Sequence, residues 1–200
     1  MSVLDGVLNF LKLTHEAHRV ERVARIPGQN RYGNMVEHSW SLAMLAWYLI
    51  DTQKLPLNKD LVLRYALCHD LVESYAGDTF IFDKKAREDK GEREQQAREK
   101  IAADHPEFTD LIKTMEAYEL RKDAESKFLY ALDKMIDPLD TYLENGLLWK
   151  ELNITLEMET DYKDAKVCSH PEIYEMLYKP LWKLLEEREE ELFGPRKKSE

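Results

Sequence analysis

From Ala66 to Glu73 the chain reads Ala-Leu-Cys-His-Asp-Leu-Val-Glu, so an adjacent histidine and aspartate interrupt an otherwise apolar run. The apolar residues predict a helix over 59–75 that is hydrophobic on nearly every side, which is typical of a central helix. His69 and Asp70 continue its buried stripes, and Glu73 extends the stripe of His69 by one turn. Burying an unpaired imidazole or carboxylate is costly, so these side chains need partners.

Two other predicted helices also set a polar residue into an apolar stripe. His38 lies near the start of a helix over 34–50, and Asp133 lies beside Leu132 in a helix over 125–143. Taken singly, a buried histidine is usually a hydrogen-bonded core residue, and a buried acid is usually part of an ion pair. Together, two imidazoles and two carboxylates predict a site for one divalent transition metal, namely Co, Mn, Fe, Ni or Zn. The predicted ligands are His38, His69, Asp70 and Asp133.

The helical period of 3.6 residues persists nearly throughout the chain and predicts an all-α fold. Asn34 followed by Glu37 is a capping-box pattern that predicts the start of one helix. The charged run over 84–100 favours a solvated helix or a mobile loop over the site. We expect one domain over residues 1–200, with a helical extension over about 147–193. The remaining predicted helices cover 3–23, 106–118, a short stretch within 146–156, and 171–193.

Composition narrows the possible partners and the location. The formal net charge of -10 argues against binding to a nucleic acid polymer, which requires a basic face. No apolar run is long enough to span a bilayer, and the N-terminus lacks the features of a secretory signal, so we expect a cytoplasmic protein with no membrane partner. Aromatic residues such as Trp47 and Tyr48, predicted to be exposed, suggest a homodimer.

The order and spacing of these residues resemble the H…HD…D signature of the HD-domain metal-dependent phosphohydrolases. Val36-Glu37-His38-Ser39 resembles the start of the second helix in the bacterial 5′-deoxynucleotidase (YfbR-like) branch of that family. His69 to Asp78 resembles the segment of the same branch that contains HD, then Glu, then Gly-Asp. The resemblance covers about residues 11–143.

The resemblance implies an all-α HD domain with five core helices within about 11–143, and it implies a role for each matching residue. His38, His69, Asp70 and Asp133 would bind the metal, which makes Asp70 part of the catalytic centre, and Glu73 would orient or deprotonate the attacking water. The resemblance also implies that Asp78 contacts the sugar 3′-hydroxyl and that basic residues bind the phosphate. The candidates for phosphate binding are Arg22, Arg25 and Lys84.

The function that we expect is release of phosphate from (deoxy)nucleoside 5′-monophosphates by a metal-activated water. Thr79-Phe80-Ile81-Phe82-Asp83 departs from the branch, and no tryptophan lies near Arg22 or Arg25, so the choice of substrate stays open. One alternative is a metal-dependent enzyme of the same family that hydrolyses nucleoside triphosphates or nucleotide diesters. A further alternative is an HD module that binds a nucleotide without catalysis.

Overall fold

The computed structural model describes residues 2–194, and most of them are helical. Met1 and residues 195–200, which the predicted single domain includes, lie outside the described residues. A two-stranded sheet pairs β1 (Glu21–Arg25) with β2 (Tyr32–Asn34). The prediction of a helical fold is confirmed, and the small sheet is the addition that the sequence did not predict. The helices are α1 (Val3–Arg19), α2 (Met35–Thr52), α3 (Lys59–Cys68), α4 (Glu73–Ala76), α5 (Lys90–Asp104), α6 (Thr109–Leu120), α7 (Ala124–Leu143), α8 (Leu147–Leu152), α9 (Leu156–Val167), α10 (Pro171–Ile173), α11 (Lys179–Glu187) and α12 (Glu189–Phe193), with a π-helical turn over Tyr174–Tyr178.

The described chain divides into two compact units, so the single-domain organisation stays a prediction. The first unit covers residues 2–23 and 32–126, and the second covers 24–31 and 127–194. In the first unit, α2 packs against α1 and α3, α4 packs against α1 and α5, and α6 packs against α3 and α5. Fully buried residues of α2 and α3 form the centre of this packing: Leu42, Ala46, Val62 and Ala66.

The second unit is organised around Trp149 of α8. Its ring stacks on Phe193 with a centroid distance of 4.4 Å, and its Nε1 donates to Oε1 of Glu159 at 3.0 Å. Gly146 has a φ of +72°, and a Cβ at this position would lie 1.9 Å from the backbone oxygen of Leu192. Glycine is therefore required both by the backbone conformation and by the close approach of α12.

The predicted helix over 3–23 is wrong at its C-terminal end. α1 stops at Arg19, and the next residues form β1. Val20 and Val23 are β-branched and favour extended backbone, and Pro27 restricts the residue before it to a non-helical conformation. Hydrogen bonding to β2 then gives the strand backbone the partners that a longer helix would have supplied.

The predicted helix over 59–75 is also wrong, because it is broken at the His-Asp pair. α3 ends at Cys68, and α4 begins at Glu73. In between, the amide of Leu71 donates to the carbonyl of Cys68 at 3.2 Å, and the amide of Glu73 donates to the carbonyl of Asp70 at 2.8 Å. These bonds span three residues rather than four, so they tighten the chain into turns.

Further differences from the predicted helices concern the charged run, the segment after α8 and the last helix. Within the charged run, helix α5 begins only at Lys90, and the segment before it forms turns. The sequence did not predict α9, which has a weak apolar pattern. The predicted last helix over 171–193 is interrupted by the π-helical turn and again at Arg188. Across residues 2–194, no helix combines the length and the apolar character needed to cross a membrane.

Within the first unit, Asp123 joins Tyr65 of α3 to the backbone at Ser126, and it predicts a pH-dependent loss of stability. Its Oδ2 accepts a hydrogen bond from the Tyr65 hydroxyl at 2.9 Å, and its Oδ1 accepts one from the amide of Ser126 at 2.7 Å. Burial raises the pKa of Asp123, but these hydrogen bonds outweigh burial and leave its pKa below the ordinary value. The charge therefore stabilises the fold above the unfolded-state pKa of about 4, and this contribution is lost as the pH falls through the folded-state pKa.

We predict that Asp123→Asn, which keeps one of the two acceptor oxygens and removes the charge, lowers the free energy of unfolding at pH 7 by up to about 1 kcal/mol. The difference from wild type should shrink at pH 3, as measured by urea unfolding. Asp110→Asn, which breaks an exposed pair with Arg64, is the control and should change stability by less than about 0.5 kcal/mol. An Asp123→Asn deficit of equal size at both pH values would contradict this account.

Candidate functional site

His69 and Asp70 occupy the turn that follows α3, where the helix can no longer satisfy its own terminal groups. The Nδ1 atom of His69 lies 3.0 Å from the carbonyl oxygen of Ala66, one of the terminal carbonyls of α3. A ring nitrogen contacts a carbonyl as a donor, so Nδ1 carries the proton. The neutral ring then directs the lone pair of Nε2 away from the helix.

The Nε2 atom of His69 faces the carboxylate of its neighbour. It lies 2.9 Å from Oδ2 of Asp70, and the His69 side chain is almost completely buried. In the neutral ring, two electron-pair donors face each other at this distance. A positive charge makes the arrangement stable, either as a proton on Nε2 or as a metal ion that both atoms bind.

His38 and Arg22 approach the same carboxylate oxygen. His38 Nε2 lies 3.8 Å from Oδ2 of Asp70, and its ring centroid lies 5.4 Å from that of His69. Arg22 Nη1 donates to the same oxygen at 3.4 Å. The predicted capping box of α2 is confirmed, since Asn34 and Glu37 exchange hydrogen bonds of 3.0 Å between side chain and backbone. This cap fixes the helical turn that carries His38.

Three of the four predicted metal ligands lie together in the first unit. His38, His69 and Asp70 each offer one ligand atom, and these atoms lie within 4.8 Å of one another. The fourth predicted ligand, Asp133, is an acid of α7 in the second unit. The side chains of His38, His69 and Asp133 are buried, while Asp70 is half-buried. The mixture of imidazole nitrogen and carboxylate oxygen suits a divalent transition metal, so the donor set fits such an ion.

Glu73, the first residue of α4, is a buried acid beside these residues. Its side chain is only 6% exposed. Among the described residues, its Oε2 atom has no hydrogen-bond partner. Burial raises the pKa of the Glu73 carboxyl well above its ordinary value, the charges of Asp70 and Asp78 raise it further, and Arg22 and Lys90 oppose them. A buried carboxyl whose pKa is raised accepts a proton more readily than an ordinary carboxylate does.

Lys90 is a site residue that the sequence prediction missed. Its Nζ lies 3.7 Å from Oε1 of Glu73 and also pairs with Glu94. Lys90 belongs to the charged run that was interpreted as solvated. The available signal was the i, i+4 spacing of Lys90 and Glu94, but such a pair is equally typical of an exposed helix surface.

The remaining predicted residues differ in how close they come to this group. Asp78 is half-buried, and its charge acts on Glu73. Arg25 forms a bidentate pair with Glu151 in the second unit, with distances of 3.0 and 2.8 Å. Lys84 is exposed in the segment between α4 and α5, and among the described residues it makes none of the site contacts given above.

Comparison with known proteins identifies the class of this fold and site. The family model described as "HD domain" matches residues 16–174. The chain therefore belongs to the HD-domain family. The resemblance noted from the order of His38, His69-Asp70 and Asp133 is thereby confirmed.

Individual relatives narrow the similarity further. The chain is 33% identical over 132 residues to human 5′-deoxynucleotidase HDDC2, a match that covers 64% of this chain and 63% of the human protein. The Xenopus laevis protein of the same name is 33% identical over 177 residues, covering 86% of this chain and 84% of that protein. A crystal structure from Magnetospirillum magnetotacticum, described as a predicted metal-dependent phosphohydrolase, superposes with a TM-score of 0.80 at 26% identity, over 92% of this chain and 93% of that one.

The raised pKa of Glu73 predicts that this side chain destabilises the metal-free protein. When the folded-state pKa of an acid is raised, its protonated form is favoured in the fold, and its contribution to stability is fully present below the unfolded-state pKa of about 4.3. That contribution is lost as the pH rises through the folded-state pKa, because the buried side chain then becomes charged. Glu73→Gln removes the charge and should raise the melting temperature of metal-free protein at pH 8, while the gain should disappear near pH 4. Glu92→Gln changes an exposed residue of α5 and is the control. A lower melting temperature for Glu73→Gln at pH 8 would contradict this reading.

Proposed function

We propose that this chain is a metal-dependent phosphohydrolase that releases phosphate from (deoxy)nucleoside 5′-monophosphates. The observation that carries the proposal is the group of His38, His69 and Asp70, in which Nε2 of His69 faces Oδ2 of Asp70 at 2.9 Å. Asp133 is the fourth proposed ligand. Membership of the HD-domain family and the similarity to 5′-deoxynucleotidases support the same conclusion. The chain is accordingly an enzyme of the hydrolase class.

The metal would be held by the two imidazoles and the two carboxylates. A divalent ion bound there supplies Lewis acidity, which polarises a phosphoryl oxygen and lowers the pKa of water. Nitrogen and oxygen donors without thiolate favour Mn, Co, Fe, Ni or Zn, and the identity of the ion is part of the proposal. The bond from His69 Nδ1 to the Ala66 carbonyl holds the ring in the tautomer that ligation requires.

Glu73 and its cationic neighbours provide the acid–base chemistry. Glu73 orients the attacking water and accepts its proton, a role that suits a buried carboxyl with a raised pKa. Lys90 and Arg22 place positive charge near Glu73 and Asp70, where it offsets the negative charge of a phosphate. Arg22 is the stronger phosphate candidate, because it lies beside the proposed metal ligand Asp70, whereas Arg25 pairs with Glu151.

Substrate binding involves the residues that follow Glu73. Asp78 would accept a hydrogen bond from the sugar 3′-hydroxyl, as the family resemblance implies. Gly77 precedes it with a φ of +75°, a conformation that glycine adopts without strain and that turns the chain directly after α4. Lys84 stays a prediction for phosphate binding, and its exposed position gives it the weakest support.

The proposal predicts a specific activity pattern for metal-stripped protein reloaded with single metals. Phosphate release from a panel of nucleoside and deoxynucleoside 5′-monophosphates should appear with at least one of Mn, Co, Fe, Ni or Zn. Asp70→Asn should lose bound metal, measured by elemental analysis, together with activity. Glu73→Gln should retain the metal but lower kcat by on the order of a hundredfold or more.

The control for folding and handling is Arg64→Ala, which removes an exposed ion pair on α3 and should behave as wild type. Activity on nucleoside triphosphates or on diesters alone would contradict the monophosphate proposal in favour of another phosphohydrolase. Full metal stoichiometry in Asp70→Asn would contradict the ligand assignment.

A homodimer in the cytoplasm completes the proposal. α2 exposes aromatic side chains along one face, with Trp40 64%, Trp47 50% and Tyr48 61% exposed. Large apolar side chains grouped on one surface are typical of an interface. Exposed aromatics of this size supply on the order of half of the roughly 800 Å² that each partner buries in a standard complex. The α2 face is therefore the proposed contact with a second copy.

We predict that wild-type protein has the mass of a dimer in light scattering at micromolar concentration. The double variant Trp40→Glu, Trp47→Glu should be a folded monomer, since a charge in the apolar contact opposes association. Lys113→Glu, an exposed change on α6, should remain dimeric. A monomer mass for wild type would end the homodimer proposal.

A further inference from the structure

The segment Gly77–Asp89 joins α4 to α5, and it contains Asp78, to which the proposed function gives a role in binding the sugar. Its own backbone contacts are short in range, as in the bonds from Asp83 to Phe80 at 3.1 Å and from Glu88 to Lys85 at 3.2 Å. Long connections without helix or strand are uncommon inside compact folds and are often functional. Such a segment needs an external contact if it is to hold a ligand group in one position.

Arg93 of α5 provides that contact with four hydrogen bonds. Its Nη1 donates to the carbonyl of Ala76 at 2.6 Å, and its Nη2 donates to Oγ1 of Thr79 at 3.1 Å. The same Nη2 donates to the carbonyl of Ala86 at 2.9 Å, and Nε donates to Oδ1 of Asp89 at 2.9 Å. One side chain thus joins the residue before the segment, a residue near its start, and two residues near its end.

Asp78 lies between two of the residues that Arg93 contacts. Ala76 and Thr79 flank Gly77 and Asp78, and Thr79 is itself buried. The Ala76 carbonyl ends α4, where helical carbonyls lack a partner within the helix, so Arg93 also caps the helix that begins with Glu73. The backbone on both sides of Asp78 is therefore anchored to α5.

Only an arginine can make this set of contacts. Its planar guanidinium has five N–H donors in a fixed fork, and here those donors reach four acceptors in different directions. A lysine ammonium is a single point with three donors and cannot span the same acceptors.

We propose that Arg93 is a positioning residue, which holds the Gly77–Asp89 segment so that Asp78 meets the nucleotide sugar. Arg93 acts through Asp78 and not on the metal ligands. This inference rests on the proposed function, because that function is what assigns Asp78 to nucleotide binding. It also predicts that Arg93 restrains the backbone of the segment, which can be measured without substrate.

The kinetic test compares Arg93→Ala and Arg93→Lys with wild type in metal-loaded protein. Both variants should raise KM for the preferred deoxynucleoside monophosphate by on the order of tenfold or more, with a smaller change in kcat and unchanged metal stoichiometry. Arg98→Ala is the matched control, since Arg98 lies on the same helix but pairs with Glu119 of α6. In an Asp78→Ala background, Arg93→Ala should raise KM no further, because the two residues act as one unit.

The second test follows hydrogen exchange of the backbone amides without substrate. Exchange should increase across residues 77–89 in both Arg93 variants and remain at the wild-type rate in α2 and α3. Unchanged exchange in 77–89, or an Arg93→Ala effect on KM that adds fully to that of Asp78→Ala, would overturn the positioning role. If wild-type protein hydrolyses no nucleotide, the proposed function is overturned instead. The exchange data do not depend on substrate, so they still show whether Arg93 holds the segment.

Discussion

The contact between Nε2 of His69 and Oδ2 of Asp70 is the constraint on which the site depends. The Ala66 carbonyl holds the proton of His69 on Nδ1, so the neutral ring offers a lone pair to a carboxylate 2.9 Å away. Two such groups remain together only when a positive charge lies between or beside them. The break between α3 and α4 places them there, since it allows both adjacent side chains to leave the apolar stripes of α3.

Much of the candidate site could be predicted from the sequence, because its residues are polar side chains at positions that are otherwise apolar and buried. His38 and Asp133 stand in apolar stripes of long, regular helices, where the 3.6-residue period reliably identifies the buried face. The capping box at Asn34 fixed the start of α2, and the residues His69 to Asp78 carried the family resemblance. Residues of this kind are visible in a single sequence, since a polar group on a buried face requires a partner.

The parts that were missed depend on contacts distant in sequence. Val20 continues the apolar pattern of α1, and only pairing with β2 makes the following residues a strand. Lys90 and Arg93 look like surface charges of a solvated helix, because their spacing to Glu94 and Asp89 satisfies local pairing. Their contacts with α4 and with the segment before α5 appear only once these elements are packed. Local charge patterns therefore predict the charged surface of a helix, but they do not identify the segments of the chain that pack against that surface.

We attribute the positive charge that holds His69 and Asp70 together to a metal ion. Anomalous X-ray diffraction tests this directly, on crystals of protein loaded with Mn or Co and with data collected on both sides of the metal absorption edge. We expect one strong anomalous peak at bonding distance, about 2.0–2.3 Å, from ligand atoms of His38, His69, Asp70 and Asp133. An anomalous peak elsewhere in a catalytically active crystal, or active protein with no peak at these residues, would contradict it.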